Sequence, residues 1–148
     1  MPWQRPALML AALWWGGLTA LSFLAVPTLF ASLGNPAVAG PVAATLFSLQ
    51  CRAGLVIGLV LLILVRQGGP SPAARAAIAL ICVAMVLAVL QEYGVSQQIV
   101  GARASGGNLT LWHGLGSGLV LGQWLCAGLL MWRLSATDSA PPRQNATD

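Results

Sequence analysis

Apolar residues fall into four long blocks along this chain, with polar and helix-breaking residues gathered between them. The blocks cover about 7–32, 42–65, 73–99 and 109–132. A helix needs about 20 mainly apolar residues to cross a hydrocarbon layer, and each block reaches that length. The third ends at Gln91 or continues to Ile99, depending on whether Glu92 lies inside the span or at its boundary. Backbone amides in lipid must be paired within their own segment, which makes α-helix the expected conformation. The breaks carry Gly34-Asn35-Pro36 and Gly40-Pro41, then Gly68-Gly69-Pro70-Ser71-Pro72, then Ser105-Gly106-Gly107. Clusters of this kind end helices. Short connections make successive helices neighbours that run in opposite directions. The predicted fold is therefore all-α, an integral membrane bundle of four transmembrane helices, antiparallel and up-down, over residues 1–134. The tail 135–148 is polar and proline-containing, so it is expected to be disordered. The first block exceeds the roughly 7–15 apolar residues of a secretory signal, and reads as a span rather than a cleaved leader.

Composition sharpens this picture. Of 148 residues, 57% are apolar and 7% are charged, against about 25% charged in soluble domains. Such a chain cannot clothe a soluble domain of its size. The net charge of +4 does not indicate nucleic-acid binding, because the arginines are scattered singly and form no basic stripe. They mark topology instead. Arg5, Arg66, Arg75, Arg133 and Arg143 fall on the side that holds both termini, and only Arg103 falls on the other. Basic residues collect on the cytoplasmic side, so both termini are expected there. The absence of lysine beside abundant Ala, Gly and Arg fits a GC-rich bacterial genome, and hence a bacterial inner membrane. Trp3, Trp132 and Trp112 lie near the expected boundaries, as an aromatic belt requires. Trp14, Trp15 and Trp124 lie deeper and are expected to pack or touch lipid. Cys51, Cys82 and Cys126 share no metal-ligand spacing and read as small buried apolar residues.

Between helices in lipid, small residues allow close backbone approach. Gly114, Gly118 and Gly122 recur every fourth residue and predict a groove along the fourth helix. Its own bundle or a second protomer would fill that groove, and the need of a four-helix bundle to fill its core favours the first. Gly54 and Gly58 on the second helix, with Ala77, Ala84 and Ala88 on the third, are expected to help. Pro27 removes a backbone donor inside the first span and predicts a kink there.

Three ionisable groups fall in or near the spans: Arg52, Glu92 and His113. At about 1.5 Å per residue they share a level in the outer half of the membrane. A charge at mid-bilayer costs at least about 2.5 kcal/mol on insertion scales, so such residues usually face inward and find partners. Arg52 and Glu92 are expected to pair between the second and third helices, with His113 nearby. Gln50, Gln97, Ser117 and Gln123 are further candidates for the same level. The simpler expectation for each is structural: Arg52 snorkelling, Glu92 marking the end of its span, and His113 bonded to a carbonyl.

Catalysis by this chain alone is not expected. One histidine cannot ligate a haem from both sides, no H-E-x-x-H is present, the only acids are Glu92, Asp138 and Asp148, and a phosphate loop would need a lysine. No cofactor and no metal are expected. Three readings remain: a protein that binds or helps transport a small molecule or ion through an outer-side polar pocket; a structural or assembly partner working through its glycine face; and a subunit of a redox or metal-handling complex with His113 as ligand. The expected partners are lipid and a second copy or another membrane protein.

The first block and the residues after it read LWWGGLTALSFLAVPTLFASLGNPAVAGPVAATLF. Trp15-Gly16, Phe23, Val26-Pro27-Thr28-Leu29-Phe30, Ala39-Gly40 and Leu46-Phe47, with His113-Gly114-Leu115 further on, resemble the transmembrane protein 205-like family, domain of unknown function 4149. The resemblance implies a four-span membrane protein of undetermined biochemistry. Gly116 and Val120 stand where that family carries serine and asparagine, and no proline follows Gln91.

Overall fold

The computed structural model describes residues 3–137, apart from the side chains at 100, 102–105 and 137. From residue 138 onward, the tail expected to be disordered lies outside the described residues. The chain forms α1 (Gln4–Thr19), a π-helical segment (Ala20–Ala25), α2 (Val26–Leu33), α3 (Pro36–Gln67), α4 (Pro72–Val89), a second π-helical segment (Leu90–Val95), α5 (Ser96–Ser105) and α6 (Leu109–Thr137). There is no strand among the described residues. Four helical stretches are long and apolar enough to cross a membrane: Gln4–Leu33, Pro36–Gln67, Pro72–Ile99 and Leu109–Ala136. The protein is therefore a multi-pass, all-helical membrane protein.

Two of the breaks read as loops turn out to be helix. Gly40-Pro41 lies inside α3, which starts at Pro36, and residues 101–105 continue α5. The cause lies in the caps. The Asn35 side chain accepts from the Ala37 amide at 2.9 Å, and Pro36 occupies the first turn, where no helical donor is needed. Ser71 caps α4 in the same way, accepting from the Ala74 amide at 3.0 Å with Pro72 after it. Asn108 accepts from the Leu111 amide at 3.1 Å at the start of α6. Gly34 takes φ 62 after α2, a left-handed conformation that only glycine adopts without strain.

The outer surface is apolar. Met9, Leu13, Val56, Ile63, Val86 and Leu125 are exposed, as lipid contact demands. The solid core occupies one end of the bundle. Ala7, Ala11, Trp14 and Leu18 meet Leu61 and Val65, Ala77, Ile81 and Ala84, and Ala127, Leu130 and Leu134. The alanines Ala77, Ala84 and Ala88 of α4 are buried, and α4 packs against both α6 and α3.

Glycine serves this core differently from expectation. Gly54 receives a ring, and Gly58 a methionine side chain, rather than a helix backbone. A Cβ on Gly54 would stand 2.8 Å from Trp14 Nε1, and one on Gly58 would stand 2.8 Å from the Met85 side chain, with Trp14 behind it. Trp15 covers Gly128 and Trp3 covers Gly68 in the same manner. The predicted groove of α6 is not filled by the bundle. Nothing within reach would meet a Cβ on Gly114 or Gly118, and only Gly122 meets a neighbour, Leu87. The reason is rotational. The inward face of α6 carries Gly116, Val120, Gln123, Ala127, Leu130 and Leu134. Residues two positions away lie on the opposite side of a helix with about 3.6 residues per turn. Gly114→Ala and Gly118→Ala are accordingly expected to leave the melting temperature of the monomer in detergent unchanged or slightly raised. The cysteines also divide: Cys51 is buried, Cys126 half-buried and Cys82 exposed.

Candidate functional site

Beyond the solid core the bundle is hollow. A cavity of about 930 Å³ lies towards the end that carries the Gly34-Asn35 and Gly106–Asn108 connections. Every span contributes to it. Ser22, Phe23, Val26 and Phe30 come from the first; Gly40, Pro41, Ala43, Ala44 and Phe47 from the second. Gln91, Glu92, Val95, Ser96 and Ile99 come from the third; His113, Gly116, Ser117, Val120, Leu121 and Trp124 from the fourth. Small residues on α3 and α6 leave the space, and aromatic rings bound it.

Both π-helical segments lie where core gives way to cavity. In the first, the Val26 amide donates to Leu21 O, five residues back; in the second, Ser96 donates to Gln91 O. Such a turn holds one residue more than an α-turn and re-phases the side chains that follow. Pro27 is the second residue of α2, one residue beyond the first segment. Its ring would crowd the carbonyl four residues back in a regular helix, and the wider turn relieves that crowding. A π turn therefore precedes Pro27, where the sequence predicted a kink. Ser22, within that turn, has a buried hydroxyl with no hydrogen-bond partner among the described residues.

Glu92 and His113 share the cavity, but Arg52 does not. The partner of Glu92 is Ser48, whose hydroxyl donates to Oε1 at 2.5 Å. The expected Arg52–Glu92 ion pair is absent among the described residues, and Arg52 is exposed. Helix phase explains this. The buried face of α3 carries Cys51, Gly54, Gly58, Leu61 and Val65. Ser48 lies at the flank of that face, and Arg52, one turn on, lies roughly 40° further round. Below this level the Cys51 thiol donates to Ala88 O at 3.4 Å, a further tie between α3 and α4. His113 lines the cavity from α6 and is exposed at its rim.

Two further polar groups fix the walls. The Gln123 amide donates to Gln91 Oε1 at 2.7 Å and to Leu119 O at 3.4 Å, and Gln123 is 3% exposed. Trp124 Nε1 donates to Thr19 Oγ1 at 2.8 Å, and that hydroxyl donates to Trp15 O at 2.7 Å. The chain of donors locks the Trp124 ring, which stacks obliquely on Trp15 at 5.4 Å and meets Phe23 edge-on at 6.1 Å. The Gln91–Gln123 bond links α6 to the second π segment. Gln123→Leu is expected to cost about 1 kcal/mol, the scale of an interhelical hydrogen bond in a membrane. Gln91→Leu combined with Gln123→Leu should recover part of that loss, because no buried amide is then left unpaired. Unfolding titrations in mixed micelles measure both.

Among the polar candidates in the sequence, Ser117 lines the cavity and Gln123 is buried behind it against Gln91, while Gln50 rests against Gly17 and Gln97 is exposed. Sequence reasoning missed Ser48, Ser22, Gln91 and the aromatic wall. Ser48 stands one turn from Arg52, and that spacing was the available signal. The π turns carry no sequence signature beyond Pro27. Among the described residues no three His, Cys, Asp or Glu side chains cluster as a metal site.

The family model described as Domain of unknown function (DUF4149) matches residues 9–108, which covers the first three spans and stops before α6. The His113-Gly114-Leu115 element lies beyond the matched stretch. No curated protein and no solved structure matches the chain.

Proposed function

The chain belongs to the family described as Domain of unknown function (DUF4149), and from that premise we propose that it is a membrane protein that binds a small, largely apolar molecule without transforming it. The cavity carries this reading. At about 930 Å³ it lies within the range of small-molecule sites, which are mainly apolar with a few placed polar groups. Here those groups are Glu92, Gln91, Ser22, Ser96, Ser117 and His113. The arginine bias supports cytoplasmic termini; in that orientation the cavity lies towards the outer leaflet of a bacterial inner membrane, where transport-related binding would find its ligand.

The test uses a neutral lipophilic dye, Nile red, with the purified chain in detergent. Saturable binding at one site per chain is expected. Ala44→Trp fills the cavity and should abolish it, whereas Leu125→Trp on the lipid face should not. Equal binding by both variants rules out the cavity as the site. Sidedness is read with single cysteines in a cysteine-free background. An impermeant maleimide added to intact cells should label Gly107→Cys and spare Ser135→Cys; the reverse pattern inverts the topology.

One observation favours a second reading, that of an assembly partner. Gly114 and Gly118 lie exposed with nothing against them, a face on which another helix would seat closely. Gly118→Leu would then weaken self-association or capture of a partner while leaving dye binding intact.

A further inference from the structure

We propose that the ligand of this cavity is an organic cation with a bulky apolar body, an inference that rests on the small-molecule reading above. The charge of the cavity points this way. Among the described residues Glu92 is its only carboxylate and no arginine lines it; His113, exposed at the rim, is its one other ionisable side chain. Ser48 donates to one oxygen of that carboxylate, and no other donor reaches it among the described residues. A carboxylate has room for about four hydrogen bonds over its two oxygens, so most of its accepting capacity is free. In an apolar surrounding, a charge of this kind needs a proton or a cationic partner to offset its desolvation.

The walls suit a cation as well as its counter-charge does. Phe23, Phe30, Phe47 and Trp124 line the same space. Aromatic faces attract cations, most strongly where water is excluded and most of all for quaternary centres. The Trp124 ring is held in advance by Thr19 and by its contacts with Trp15 and Phe23. It therefore loses little freedom when a ligand arrives. The apolar body of such a ligand fills volume that the small residues of α3 leave open, and its charge settles beside Glu92. An anion of equal shape would meet the same carboxylate, with no arginine among the described residues to compensate it.

Tetraphenylphosphonium and tetraphenylborate have nearly the same shape and opposite charge, and they test this directly. Each is titrated against the full chain in nanodiscs of zwitterionic lipid, with Nile red displacement as readout. The phosphonium is expected to displace the dye at least about tenfold more tightly than the borate. Glu92→Gln should erase that preference, and Glu92→Asp should keep it. A thermal melt shows whether each variant is folded; if Glu92→Gln is not, the wild-type preference and its fate in Glu92→Asp decide. If the borate competes as well as the phosphonium, or if neither competes while Nile red still binds and is lost in Ala44→Trp, the cation class is overturned and the cavity reading stands. If Nile red does not bind saturably either, both fall.

Discussion

Trp14→Ala is expected to destabilise the protein by about 3 kcal/mol, the low end of the range for large aromatic residues in packed cores. Trp14 is 1% exposed and is the largest fully buried side chain. Its indole covers Gly54 and reaches towards Gly58, so its loss opens a void against two glycines that have no side chain to relax into it. The low end applies because the unfolded helices remain in an apolar medium. Truncation forfeits dispersion and close packing rather than transfer from water. Unfolding of the purified chain in mixed micelles, followed by tryptophan emission, gives the value. A loss below about 1 kcal/mol would mean that the ring is not the keystone of this end of the bundle.

Gly54→Val is expected to cost about 1–3 kcal/mol, as overpacking of a filled core does. The first carbon of the new side chain would already stand 2.8 Å from Trp14 Nε1. A buried ring cannot swing aside as a flexible chain end would. The same substitution in a Trp14→Ala background should be neutral or stabilising, since the valine then occupies the void. The two changes share one volume and must therefore couple. Simple additivity of the two losses would show that Trp14 and Gly54 do not touch.

At the site, burial has a different purpose from burial in the core. The polar groups in and beside the cavity are paired sparingly: Glu92 by Ser48, Gln123 by Gln91 and Leu119, Trp124 by Thr19. The Glu92–Ser48, Gln123–Gln91 and Trp124–Thr19 pairs each join two spans at the level where both π turns interrupt the helices, while Gln123–Leu119 lies within α6. Pairing across spans at that level holds the walls apart while the other end closes tightly.

Much of the fold was legible in the amino-acid order. Four apolar blocks with few charges leave lipid as the only suitable solvent, and lipid leaves helix as the only conformation that pairs every amide. The presence of Glu92 and His113 in one site also followed from their shared depth. Helix boundaries were less legible, because Asn35 with Pro36 and Ser71 with Pro72 read equally well as loop and as helix start. The pairing of Glu92 was not legible at all. Depth along a helix can be counted from sequence, but direction around it depends on how each helix is rotated against its neighbours. Rotation turned Arg52 outward, gave Glu92 to Ser48, left Gly114 and Gly118 uncovered and set Trp14 over Gly54. The sequence by itself determined the solvent, the number of spans and the level of each polar group. Tertiary packing alone decided which faces met, because the fit of rings into glycine gaps and the extra residue in each π turn set the phase of every helix.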